Sequence, residues 1–206
     1  MLPYGQCRIQ HVQPKGEGGL GIVDEVVVVE TNCVHPVGAR FARKRLNDKW
    51  RNQPDAKVRF EREIEILSGM NHERIVSFQG QSIPGEERFY MMPLYERSVR
   101  NYLLAAPGGV NWRNAARFCS ELADALHYAH MMGHIHRDLK PENILLDIAN
   151  NAVISDWGLG QFVHRDSKVL DLTRGGMGTE YYVSLEQWTT GRCESTGDVY
   201  SLGIVL

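Results

Sequence analysis

The sequence predicts an α+β chain in two lobes, with strands first and helices after. Two observations carry this expectation. Alternating and β-branched segments fill the first third, and from about residue 97 the apolar residues recur at helical spacing instead. A third is the length: 206 residues, 43% apolar and 23% charged, suit one soluble domain or two small lobes sharing a core.

Taken in order, residues 7–14 alternate roughly, and Ile22–Glu30 carries the run VVVV. Ala39–Leu46 follows the turn signal His35-Pro36-Val37-Gly38. Ala56–Met70 reads as a helix, with Val58, Ile64, Ile66 and Leu67 apolar among charges. Ile75–Phe78 and Phe89–Met92 read as two further strands, which makes five strands and one helix. Asn111–Met132 is the longest amphipathic helix, with Ala115, Phe118, Cys119, Leu122, Ala125, Leu126 and Ala129 at spacings of three and four. Gly133 ends it. Ile144–Leu146 and Val153–Ile154 suggest a small hairpin, and Gly197–Leu206 the start of a buried helix.

The formal net charge of -2 gives no sign of a nucleic-acid partner, for which a basic balance is usual. Cys7, Cys33, Cys119 and Cys193 lie far apart with no CxxC pair, so free thiols in a reducing compartment are expected. No apolar stretch approaches the roughly 18 residues of a membrane span, and the N-terminus lacks a signal-peptide core. A cytoplasmic location is the default that follows.

Gly16-Glu17-Gly18-Gly19-Leu20-Gly21-Ile22-Val23 is a GxGxxGxV pattern. In a dinucleotide-binding fold a helix must follow such glycines, so that the pyrophosphate meets its N-terminus. Here a strand follows, IVDEVVVVE. The pattern fits a glycine hairpin that lays its backbone over the phosphates of ATP, or a flexible hairpin with no ligand.

His136-Arg137-Asp138-Leu139-Lys140-Pro141-Glu142-Asn143 decides between them. Through these eight residues the chain, from about residue 6 to its end, resembles the eukaryotic-type serine/threonine protein kinase family, with a bacterial flavour in its second half. The resemblance implies a protein kinase-like two-lobe fold: a five-stranded N-lobe with one helix and hinge over 1–95, and a mainly helical C-lobe from 96 to 206. It also implies that the family's domain runs on past Leu206, so the C-lobe is expected to be incomplete. Leu202, Ile204, Val205 and Leu206 would then face water or pack partly, and the chain would fold poorly or need a partner.

The activity implied is transfer of the γ-phosphate of ATP to serine or threonine hydroxyls of a protein substrate, with Mg2+ as cofactor. In that resemblance Asp138 accepts the hydroxyl proton, Lys140 neutralises developing charge, and Asn143 ligates magnesium. Asp156 of Asp156-Trp157-Gly158 binds the magnesium bridging the β- and γ-phosphates, although Trp157 replaces the family's Phe. Lys44 of Ala42-Arg43-Lys44 meets the α- and β-phosphates, and Glu63 is its best-aligned partner, with Glu61 and Glu65 as competitors.

The same resemblance implies that Gly16, Gly18 and Gly21 cover the phosphates, with Val23 and Ala42 above the adenine and Leu145 below it. It also implies that Met92 is the gatekeeper of a hinge in which Pro93 offers its carbonyl and Tyr95 its N–H. Gly178-Thr179-Glu180-Tyr181-Tyr182 resembles the serine/threonine acceptor segment. In Ser184-Leu185-Glu186 the expected proline is Leu185. Asp198 matches the helix aspartate that braces the catalytic loop, and Arg137 implies an activation loop ordered by phosphorylation at Thr173 or Ser167. His127, His130, His134 and His136 could suggest a metal, but structural roles fit them better. The alternative to an active enzyme is an inactive fragment or an ATP-binding scaffold.

Overall fold

A meander of antiparallel strands opens the chain, as its alternating and β-branched segments require. The computed structural model describes residues 5–18, 20–159, 161–162 and 181–206. These form two units: the described residues up to Ile64 with Ser77–Leu94, and Glu65–Val76 with the described residues from Tyr95 onward.

In the first unit β1 (Cys7–Glu17), β2 (Gly21–Thr31) and β3 (Arg40–Leu46) are followed by the first part of helix α1 (Pro54–Gly69). Strands β4 (Gly80–Gln81) and β5 (Phe89–Met92) complete a five-stranded sheet in the order β1-β2-β3-β5-β4, with every pairing antiparallel. The edge strand β1 contains Pro14, which is tolerated because the register shifts between Pro14 and Gly16. Pro54 at the first helical position and Asp55 in the first turn start α1. Ala56, Arg59, Phe60, Glu63 and Ile64 are its buried residues in this unit, while Val58 is exposed.

The second unit holds the end of α1, then β6 (Arg97–Ser98), α2 (Val99–Leu104), α3 (Trp112–Met131) and β7 (His134–Ile135). β8 (Ile144–Leu146), β9 (Ala152–Ile154), β10 (Gln161–Phe162), α4 (Leu185–Thr190) and α5 (Ser195–Val205) follow. Asn111 caps α3 by accepting the Arg113 N–H, and Phe118, Leu122, Ala125, Leu126 and Ala129 form its buried face. Gly133 takes the left-handed conformation (φ 79°) that stops the chain from continuing helical. β8 and β9 pair as a hairpin, with β6 added on the β8 edge.

Two expectations need correction. Ile75–Phe78 is not a strand of the first sheet. Ile75 makes an isolated parallel bridge to Ile154, and the Val76 N–H donates to the Ile154 carbonyl, so the segment is held by the hairpin of the second unit. The fifth strand is the two-residue Gly80–Gln81. Of the terminal apolar residues expected to face water or pack partly, Leu202 is instead buried, while Ile204 and Leu206 are exposed as expected. No described helix is long and apolar enough to cross a membrane.

Candidate functional site

The residues singled out in the sequence fall into one group in each unit. In the first, the register sets Val23, Lys44 and Tyr90 in one row across β2, β3 and β5, and Ala42 beside Met92 two positions along. Strand periodicity puts both rows and Gly21 on one face of the sheet. Lys44 Nζ donates to Glu63 Oε1 at 2.7 Å and Oε2 at 3.0 Å, and all three atoms are buried. The competitors do not reach Lys44: Glu61 takes two bonds from Arg88 instead, and Glu65 is exposed.

A charge pair this deep persists only when both partners are present and well bonded. Here Glu63 has a further donor, the Tyr90 hydroxyl, 2.9 Å from Oε1. Nothing in the sequence pattern marks Tyr90. Its position opposite Lys44 in the β3–β5 register is what reveals it.

The glycine hairpin closes with the Gly18 N–H donating to the Gly21 carbonyl at 2.8 Å. A Cβ on Gly16 would meet nothing within 4 Å, which leaves that backbone open to close approach. A Cβ on Gly21 would lie 2.8 Å from Lys44 Cε, so glycine there makes room for the lysine stem. β5 ends at Met92, which is buried, and Pro93 follows; Gly19 lies outside the described residues.

In the second unit the loop from His136 to Asn143 folds on itself. Asp138 Oδ2 accepts from Lys140 Nζ at 2.8 Å and from Asn143 Nδ2 at 3.0 Å, and Asn143 Nδ2 also reaches the Asp138 carbonyl at 2.8 Å. Among the described residues Asp138 Oδ1 is buried and has no hydrogen-bond partner. Burial pushes the Asp138 carboxyl above the usual range against the Lys140 charge, and the Asp156 charge pushes it further up. The loop thus presents a desolvated carboxylate with one oxygen secured and the other without a donor among the described residues.

The backbone around Asp138 is braced from α5. Asp198, fully buried, accepts the His136 N–H on Oδ2 and the Arg137 N–H on Oδ1, both at 2.8 Å. That brace accompanies the left-handed backbone of Arg137 (φ 69°). His130 Nε2 also lies 2.8 Å from Asp198 Oδ2. His136 accepts the Asp138 N–H on Nδ1 and donates through Nε2 to the Ser155 carbonyl, which assigns its tautomer. Arg137 Nη2 donates to the Gly191 carbonyl, and Gln187 Nε2 to the Arg137 carbonyl.

Asp156 follows β9 in the left-handed conformation (φ 63°). Trp157 is completely buried and meets His136 edge-to-face at 4.7 Å, while its indole N–H finds no acceptor among the described residues. Leu145 on β8 is half-buried. Tyr95 has a phenol pushed up to about 12 by burial and by the Asp147 charge. Thr173, Ser167, Gly178, Thr179 and Glu180 lie outside the described residues. Among the described residues no group of three or more His, Cys, Asp or Glu side chains could hold a metal ion.

The pattern that defines the protein kinase domain matches residues 9–206 of this chain. The chain is 32% identical, over 98% of its length and 46% of the relative's, to the serine/threonine-protein kinase PknA of Mycobacterium tuberculosis. It is 30% identical, over 93% of its length and 27% of the relative's, to a proline-rich receptor-like protein kinase of Arabidopsis thaliana. A G-type lectin S-receptor-like serine/threonine-protein kinase of the same plant is 32% identical over 93% of this chain and 23% of its own length. The chain therefore spans about a quarter to just under half of these relatives.

Proposed function

The chain belongs to the protein kinase family, and from that premise we propose that it transfers the γ-phosphate of ATP to serine and threonine hydroxyls of a protein substrate. The serine/threonine assignment is supported by Lys140, two residues after Asp138, and by relatives named as serine/threonine kinases.

The observation that carries this reading is the state of Asp138. Lys140 and Asn143 secure one carboxylate oxygen, and Oδ1, which has no partner among the described residues, is the acceptor we assign to a hydroxyl. Asp138 takes the proton of the attacking hydroxyl on Oδ1 and orients its oxygen. Lys140 offsets negative charge on the transferred group while holding Oδ2. Lys44, fixed by Glu63, binds the α- and β-phosphates. The backbone of Gly16, Gly18 and Gly21 covers the phosphates. For the adenine we assign Val23, Ala42, Met92 and the Pro93 carbonyl from the first unit, and Leu145 and the Tyr95 N–H from the second, each by its place in the family's sequence pattern.

The residues present fit magnesium. Asn143 commits its amide nitrogen to Asp138, which leaves the amide oxygen for a hard cation. Together with the carboxylate of Asp156 it would supply two oxygen ligands, the kind of set a magnesium takes alongside phosphate and water. When bound, the ion neutralises phosphate charge. ATP as donor and four cysteines free of disulfides suit the cytosol.

The test is incubation of the chain with ATP, magnesium and a generic basic protein, followed by mapping of the phosphorylated residues. Phosphate on serine and threonine that disappears when magnesium is chelated is expected. Phosphate confined to tyrosine, or nucleotide-dependent stabilisation without any transfer, would overturn the proposal, and the second result would favour an ATP-binding scaffold.

A further inference from the structure

We propose that Tyr90 is a positioning residue for the Lys44–Glu63 pair, acting through the bond from its hydroxyl to Glu63 Oε1. The inference rests on the phosphate-binding role given to Lys44 above.

Three secondary-structure elements meet at this carboxylate: β3 through Lys44, β5 through Tyr90 and α1 through Glu63 itself. Oε1 accepts from Lys44 at 2.7 Å and from Tyr90 at 2.9 Å, while Oε2 accepts from Lys44 at 3.0 Å. Tyr90 is 1% exposed and Glu63 2%, so the hydroxyl bonds a carboxylate out of contact with water, where charge-assisted bonds are strongest.

The aromatic ring has a separate task. It packs in the core against Phe60, with ring centroids 5.9 Å apart, and phenylalanine would serve there equally. The hydroxyl is what tyrosine adds, and its partner is the residue that fixes Lys44. Lys44 must divide its three donors between Glu63 and phosphate oxygens when nucleotide is bound. A donor from β5 that stays on Glu63 keeps α1 at a fixed distance from the sheet while the lysine is shared. Tyr90 therefore sets where Lys44 waits.

The test is a cycle of Tyr90→Phe, Glu63→Ala and the double variant, with two readouts on the full chain. One is the steady-state kinetics of phosphate transfer, and the other is hydrogen exchange along α1. Tyr90→Phe is expected to lower kcat/KM for ATP about tenfold, the scale of one hydrogen bond to a buried charge, with KM for the protein substrate unchanged. Exchange along Pro54–Gly69 should rise. In the Glu63→Ala background the same substitution should change neither readout. Equal losses in both backgrounds, or a Tyr90→Phe variant indistinguishable from the parent, would overturn the inference. If the parent chain transfers no phosphate, the kinase proposal fails, and the exchange cycle decides the role of Tyr90 by itself.

Discussion

Asn143 grips Asp138 twice, donating its side-chain amide to the Asp138 carbonyl at 2.8 Å and to the carboxylate oxygen Oδ2 at 3.0 Å. One residue proposed for the metal therefore also fixes the proposed proton acceptor. Lys140 completes the hold on Oδ2, so the carboxylate is oriented before any substrate arrives.

The electrostatics of Asp138 set a pH dependence. Burial raises its pKa, and the Lys140 charge opposes that rise. The proposed transfer needs the ionised form, so the rate should fall on the acid side at a pH above that of an ordinary aspartate. Lys140→Ala removes a charge that favours the carboxylate, and the acid limb should move to higher pH. A pH–rate profile of both proteins checks this; an unmoved or lowered limb in the variant contradicts it.

Gly21 gives way to the lysine stem. Adding one methyl at this position places a carbon 2.8 Å from Lys44 Cε and 3.4 Å from the Arg45 carbonyl. The flexible lysine can yield, but only by leaving its place beside Glu63. Gly21→Ala should therefore fold normally and show a smaller ATP-induced rise in melting temperature than the parent. An unchanged rise argues against the arrangement.

Asp198 stabilises by satisfying two buried backbone donors. Asp198→Ala orphans the N–H groups of His136 and Arg137, and each such donor costs about 1–3 kcal/mol. Urea unfolding should show a loss of about 3–5 kcal/mol, the range seen when a buried network is broken. A loss below about 1 kcal/mol would mean the loop holds itself.

Trp157 combines full burial with an N–H that has no acceptor among the described residues. Trp157→Phe removes a buried orphan donor worth about 1–3 kcal/mol and leaves a smaller ring in its place. The two effects oppose, so stability should change by less than about 1 kcal/mol, whereas Trp157→Ala should cost about 3–5 kcal/mol. A large loss in the phenylalanine variant would show that the N–H has an acceptor.

Much of this was legible in the sequence, because the chemistry is carried by contiguous motifs. His136–Asn143 is continuous, and Lys44 and Glu63 sit on elements whose periodicity is clear. The remainder depends on pairing across distance. Ile75–Phe78 has the composition of a strand, but the backbone bonds of Arg74 and Val76 with Ile154 draw it to another sheet, while the true edge strand is two residues with no pattern to read. Tyr90 looked like any aromatic strand residue until the register set it opposite Lys44. α4 did carry a signal: Ser184 caps it by accepting from the Gln187 N–H, and Gly191 ends it at φ 74°.

The central claim is that Asp138 accepts the proton of the substrate hydroxyl. It is tested most directly by the rate of γ-phosphate transfer from ATP to a basic protein by the parent chain and by Asp138→Asn. The account predicts a fall of at least about a hundredfold, the lower end of what general-base catalysis contributes. It also predicts that the variant melts no lower than the parent at neutral pH. The folded-state pKa is raised, so the stability tied to neutral Asp138 is present at acid pH and lost as pH rises; a neutral side chain restores it. Transfer at the parent's rate by Asp138→Asn would contradict the account.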